Sequence, residues 1–226
     1  VGVYWSALAA AAPGAPVLPE DLSEDPSLDS LIADARPLSE VLEQFDRHVA
    51  LTAQNLDEAA DLVAHVPVGV ARVGLFVDPD DATLAETLDR VPLDTIQLHG
   101  SESPDRVAAI KALTGLPVMK SVGLSGPDDL PALTDYGLVA DMLLVDAKPP
   151  RGAELPGGNG LSFDWRLLVG RKWLRPWMLA GGLTAQNVAE AIRLTGAPAV
   201  DVSSGVEIEP GVKDEGLIRA FVAAAT

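Results

Sequence analysis

The chain has no cysteine among its 226 residues, which excludes disulfides and thiolate metal sites. Positive charge is scarce as well: 16 Lys and Arg stand against 33 Asp and Glu, a formal net charge of −17. Such a chain repels nucleic acid and anionic membrane surfaces in general. An anionic ligand can still be held locally, by backbone amides or a few cations. Long apolar runs are missing too. The most apolar stretch, Val1 to Pro16, is too short to span a bilayer and lacks the basic leader of a secretory signal. Its first five residues read as a buried strand. The chain starts inside this run and not at Met, so the expectation is a sequence trimmed relative to its gene. These absences fit a cytoplasmic protein that binds neither membrane nor nucleic acid.

What is present is a regular alternation. From Ala71 onward, short β-rich runs alternate with amphipathic ones. Strands are expected at Val73–Val77, Thr95–Leu98, Pro117–Val122, Met142–Val145, Met178–Ala180 and Ala199–Val202. Helices are expected at Asp81–Arg90, Pro104–Leu113, Pro127–Tyr136, from about Asp164, at Thr184–Leu194 and at Lys213–Ala224. The strands are continuous apolar runs, the pattern of parallel strands covered on both faces. Six βα units in a row predict a barrel or a doubly wound sheet. The first 70 residues are less regular. Pro13 to Ser30 reads as a loop, Leu38–Phe45 and Leu56–Val66 as helices, and His48–Thr52 as a strand. No linker divides the chain, so residues 1–226 are expected to form one domain.

The chemistry concentrates at strand ends. Leu179-Ala180-Gly181-Gly182-Leu183-Thr184 ends a strand in two glycines and opens a helix that Thr184 can cap. Some twenty residues later, Asp201-Val202-Ser203-Ser204-Gly205 ends the next strand in hydroxyls and a glycine. In a βα barrel these turns lie side by side, and glycines let backbone N–H groups approach a phosphate closely. Either turn alone is as well read as a plain tight turn; the pair on successive strands favours phosphate. Asp146 directly follows an apolar strand, where a carboxylate points into a barrel mouth and can serve as an acid. A loop Asp that accepts from backbone amides is an equal reading from position alone. Gln97 and His99 share one side of their strand, although a turn histidine bonded to backbone is the favoured reading of His99 from the residues alone. The Gly- and Pro-rich segment Ala147–Phe163 reads as a flexible lid. Its cations Lys148 and Arg151 are either attractors of an anionic substrate or simply solvated, and solvation is preferred for Arg151.

Taken together, these segments resemble the phosphoribosylanthranilate isomerase family. The likeness rests on IQLHGSE at 96–102, LLVDAK at 143–148, GGNG and SFDW at 157–165, LAGGLTAQNV at 179–188 and VDVSSGVEIEPGVKD at 200–214. It covers the chain from about Pro67 to the C-terminus. The resemblance implies a (β/α)₈ barrel of the TIM type. It also implies a cofactor-free, metal-free Amadori rearrangement of N-(5-phosphoribosyl)anthranilate to the ketose of tryptophan biosynthesis. It assigns the general acid to Asp146, the phosphate site to Gly181, Gly182, Ser204 and Gly205, and positions near the substrate to His99 and Asp201; Gln97, on the same side of its strand as His99, is expected to face the substrate with it. The partner implied is the small phosphorylated substrate, with the chain a monomer or homodimer.

The chain departs from the family near its start. The family's general base is a cysteine on the first strand, and this chain has neither that residue nor that strand motif. Val1–Trp5 resembles the family's second strand instead. The arginine that binds the anthranilate carboxylate has its nearest candidate in Arg47, after an insertion of some forty residues. Asn159 and Leu161 replace a small hydroxyl residue and a lysine in the loop. Two explanations stand side by side. Either a first strand carrying the base precedes Val1, which the start inside a strand slightly favours, or Val1–Trp5 is a remodelled first strand. The second makes the chain a non-catalytic phosphosugar-binding paralogue.

Overall fold

The computed structural model describes residues 2–6, 47–50, 56–66, 70–148, 162–209 and 212–226. Among them, eight strands pair in sequence order and close into a barrel, β8 returning to β1. They are β1 (Gly2–Ser6), β2 (Arg47–Ala50), β3 (Val70–Phe76), β4 (Thr95–Leu98), β5 (Val118–Leu124), β6 (Met142–Ala147), β7 (Trp177–Leu179) and β8 (Ala199–Val202). Every pairing around the ring is parallel. All C-terminal strand ends therefore share one rim. The helices are α1 (Leu56–Ala64), α2 (Asp81–Arg90), α3 (Pro104–Thr114), α4 (Leu130–Val139), α5 (Val188–Thr195) and α6 (Glu215–Ala225). A small antiparallel hairpin, β9 (Glu207–Glu209) with β10 (Val212–Lys213), follows β8.

The two-residue period of each strand sorts side chains into two cores. Ile96, Leu98, Val122, Val145, Leu179 and Val200 point outward and pack against Leu84, Ile110, Leu133, Ala191 and Phe221 of the helices. Val73, Met119, Leu144, Met178 and Ala199 point inward and fill the barrel. Strands covered on both faces have no polar face, which is why they read as unbroken apolar runs. The inner positions nearest the rim break the rule: Gln97, His99, Ser121, Asp146 and Asp201 are polar and buried. Of these, His99, Ser121 and Asp146 line the mouth of the barrel.

Local chemistry sets the helix limits. The Asp80 side chain accepts from Thr83 N at 2.7 Å and starts α2. Ser103 caps α3, with Pro104 at its first turn and Gly115 in a left-handed conformation at its end. Three expected helices are corrected. The one expected from Asp164 is only a 3₁₀ turn, Trp165–Leu168, because left-handed Gly170 (φ 70°) stops it within a few residues. The one expected from Thr184 begins at Val188. Before it, Thr184 Oγ1 accepts from Gln186 N, and the Asn187 side chain bridges Thr184 N and Gly182 O in a turn. The last starts at Glu215 under an Asp214 cap, while Lys213 belongs to β10. Pro13–Ser30 and Leu38–Phe45 lie outside the described residues, as do residues 149–161 of the expected lid, with Arg151, Asn159 and Leu161.

Candidate active site

A cavity of about 440 Å³ opens at the C-terminal rim between β3 and β6. His99, Ser121, Asp146, Asp78 and Lys148 line it. Asp146 is the last residue but one of β6 and is 8% exposed. Its two oxygens have different partners. Oδ1 accepts from the Ala147 backbone N–H at 2.7 Å, and Oδ2 lies 3.3 Å from His99 Nε2. One oxygen is thus fixed to backbone, as in a loop aspartate, and the other faces His99 in the mouth.

His99 is bonded mainly through side chains, in contrast to the backbone-bonded turn histidine favoured from its residue type. Gln97 Nε2 lies 3.0 Å from Nδ1, and Ser121 Oγ lies 3.2 Å from Nε2. With the Gln97 amide donating to Nδ1, His99 carries its proton on Nε2, toward Asp146 and Ser121. Gln97, His99, Ser121 and Asp146 thus form one chain of contacts across β4, β5 and β6.

Two glycine turns, after β7 and β8, continue the rim beyond β6. Gly181 and Gly182 both have positive φ, 87° and 62°, a geometry that favours glycine. A Cβ at Gly181 would also come within 2.7 Å of Ala147 N, so this turn packs directly on the end of β6. At Gly205 a Cβ would fall 1.9 Å from the Leu183 carbonyl oxygen. That contact places the turn after β8 against the turn after β7, side by side as their spacing predicts. The second turn is braced by Lys213. Its ammonium donates to Ser203 O at 3.0 Å, to Ser203 Oγ at 3.1 Å and to Glu207 Oε1 at 2.6 Å. Ser204 opens the short 3₁₀ turn that contains Gly205. Asp201, on β8, is buried and paired in register with Tyr4 of β1.

Lys148 sits on the rim, about half exposed, and pairs with Asp129 at 2.7 Å. This hydrogen bond is the main reason that the Asp129 carboxyl is held down at about 2. Arg47 is corrected. It is the first residue of β2 and pairs with Val70, the first residue of β3. Phe76, at the rim end of β3, lies ~20 Å further along at ~3.3 Å per residue. The backbone of Arg47 thus stands at the end of the barrel opposite the mouth, because FDRHV enters its strand at Arg47 and does not leave it there.

The sequence reading missed three residues of this architecture: Ser121, and the buried pair Lys120 and Glu102. A signal existed for the pair. Lys120 interrupts an apolar strand run, and a charge buried between sheet and helices must find a partner. Among the described residues no group of three or more His, Asp or Glu is arranged to hold a metal ion, and no helix is long and apolar enough to cross a membrane.

Comparison with known proteins agrees with this geometry. The family model described as N-(5'phosphoribosyl)anthranilate (PRA) isomerase matches residues 32–224. An N-(5'-phosphoribosyl)anthranilate isomerase from Paracoccus denitrificans is 71% identical over 168 residues, 74% of this chain and 78% of that protein. One from Cereibacter sphaeroides is 61% identical over 170 residues, 75% of this chain and 80% of that protein. The crystal structure of phosphoribosyl anthranilate isomerase from Thermotoga maritima superposes with a TM-score of 0.73 at 28% identity, covering 100% of this chain and 98% of that one. A similar structure holds reduced 1-(o-carboxyphenylamino)-1-deoxyribulose 5-phosphate, with a TM-score of 0.68 at 25% identity over 100% of this chain and 98% of that one.

Proposed function

The chain belongs to the phosphoribosylanthranilate isomerase family, and from that premise we infer that it converts N-(5-phosphoribosyl)anthranilate to the 1-deoxyribulose 5-phosphate ketose by an Amadori rearrangement in tryptophan biosynthesis. The observation that supports the residue assignment is buried Asp146 on the same barrel rim as the two glycine turns, the nearer of which packs on the end of β6.

The phosphate sits on backbone N–H groups around Gly182 and Gly205, with Gly181 and Ser204 shaping the turns. The N-terminus of α5 adds partial positive charge. Anchored there, the sugar extends across the mouth toward β4–β6. Asp146, protonated, donates to the furanose ring oxygen as the C1–O bond breaks. The anilino nitrogen lone pair becomes the C=N bond of the open Schiff base. A base takes the proton from sugar C2; the C2–H electron pair becomes the C1=C2 bond and the C=N pair returns to nitrogen, giving the enolamine. The enolamine loses its hydroxyl proton, gains one at C1 and becomes the ketose. His99, held by Gln97 and Ser121, orients Asp146 and lines the substrate space with Asp201. No cofactor or metal enters these steps. Residues 1–226 act as one domain, in the cytoplasm, as a monomer or homodimer, with neither nucleic acid nor membrane as a partner.

The second reading, a phosphosugar-binding paralogue without turnover, is favoured by one observation: the family's base is a cysteine and this chain contains none. Complementation of a tryptophan auxotroph lacking this isomerase separates the two. Growth supports the enzyme; no growth, with the protein expressed and binding a ketose phosphate analogue, supports the binder.

A further inference from the structure

Beside the catalytic mouth, on the other face of the β5 strand, lies a buried ion pair that the reaction does not use. Lys120 and Glu102 are 2% and 4% exposed. The Lys120 ammonium has three protons and three acceptors: Glu102 Oε2 at 2.8 Å, Gly100 O at 2.7 Å and Leu98 O at 3.3 Å. Glu102 Oε1 accepts from two further backbone groups, Asp78 N at 2.9 Å and Gly100 N at 3.2 Å. These contacts converge on residues 98–102, the turn in which His99 stands, and tie it to the turn after β3. The next residue on β5, Ser121, points to the opposite face and places its hydroxyl 3.2 Å from His99 Nε2. Two successive residues of one strand therefore hold the His99 turn from outside and inside the barrel.

A buried ion pair loses about as much in desolvation as it gains in attraction, so an apolar pair of similar volume fills such a site at no loss of stability. What an apolar pair cannot do is bond four backbone polar atoms, three in the His99 turn and one in the turn after β3. We propose that Lys120 and Glu102 are positioning residues for the isomerase reaction: they fix the turn after β4 so that His99 stays against Asp146. This rests on the reading of Asp146 as the acid. The pair touches neither substrate nor Asp146, and it lies across the rim from the glycine turns, so its effect is on turnover and not on phosphate binding.

The test is the double variant Lys120→Met/Glu102→Gln, which removes both charges together and keeps both volumes. The introduced glutamine side chain retains an acceptor for the Asp78 and Gly100 N–H groups. Lys120→Gln/Glu102→Gln is the milder companion should the double variant fold poorly: it also removes both charges together and offers an amide donor to the Leu98 and Gly100 carbonyls, with the same changes expected in smaller measure. Three quantities are read: steady-state kinetics, affinity for the reduced ketose phosphate analogue, and the ring ¹⁵N shifts of His99 at fixed pH. The expected result is a fall in kcat of about 10- to 100-fold, as for a misplacement of order 1 Å, with KM and analogue affinity unchanged. The His99 ring should pass from a single Nε2–H tautomer to an averaged mixture. Unchanged kcat with an unchanged tautomer overturns the proposal, as does a loss of analogue affinity and melting temperature in step with kcat, which marks a merely structural role. If the native chain itself shows no turnover, the reading of the acid fails, and the His99 tautomer alone still decides whether the pair positions it.

Discussion

The two halves of the barrel rim use different materials. Between β4 and β6 the mouth is built from side chains: Gln97, His99, Ser121 and Asp146 in mutual contact. After β7 and β8 it is built from backbone, at Gly181, Gly182 and Gly205. Each half has a lysine behind it whose three protons are all engaged, Lys120 for the first and Lys213 for the second. The contrast follows from the chemistry each half supports. Proton transfer needs titratable atoms at hydrogen-bond distance, which only side chains supply. A phosphate needs several N–H donors and close approach, which a Cβ obstructs. The side-chain half should therefore be sensitive to loss of a single functional group, and the backbone half to gain of a single methyl.

The largest effect is expected from Asp146→Asn. Asn keeps the shape and the hydrogen bond from Ala147 but carries no acidic proton. The variant should fold normally, bind the ketose phosphate analogue as the native chain does, and lose ~10²–10⁴-fold in kcat. Steady-state kinetics with an analogue titration and a thermal melt check this; near-native turnover removes Asp146 from the role of acid. Next comes Gly205→Ala. The added methyl would sit 1.9 Å from Leu183 O, so the turns must part. Inorganic phosphate and the analogue should both bind at least about tenfold more weakly, a ~1.4 kcal/mol loss. Titration calorimetry decides it, and unchanged affinity means that the phosphate is held elsewhere.

Sequence patterning reached the frame before it reached the site. Thr95–Leu98, Ala199–Val202 and Asp81–Arg90 stand at their expected limits, because apolar runs and the Asp80 cap are local signals. The α5 start was displaced by the Asn187 side chain, whose bonds to Gly182 and Thr184 depend on the turn already being formed. The strand ends at Gln97, His99 and Asp146 were legible because a parallel barrel brings all such ends to one rim. Their partners were not. Ser121 is one hydroxyl in an apolar strand, and its contact with His99 spans 22 residues. Arg47 shows the reverse error: the residue type suited the substrate, but strand register put it at the far end.

Two smaller effects mark the limits of the comparison. Asp129, beside the mouth, is held at about 2 instead of its ordinary 3.8 chiefly by its hydrogen bond from Lys148. A lowered folded-state value stabilises above the ordinary carboxylate range, and that contribution is lost as pH falls through about 2. Asp129→Asn should thus lower the melting temperature slightly at pH 7, and the difference should shrink between pH 4 and pH 2. A deficit that stays constant across that window contradicts the ion-pair account. The smallest effect is expected from Arg47→Ala, which should leave KM unchanged, since the Arg47 backbone lies at the opposite end of the barrel. A large rise in KM would return Arg47 to the substrate.

The most direct measurement is turnover of N-(5-phosphoribosyl)anthranilate by the purified native chain, followed as ketose formation beside the Asp146→Asn variant. The account predicts turnover by the native chain that the variant loses while still binding the ketose phosphate analogue. Tight analogue binding with no turnover by the native chain would contradict it, and would make this barrel a phosphosugar-binding protein.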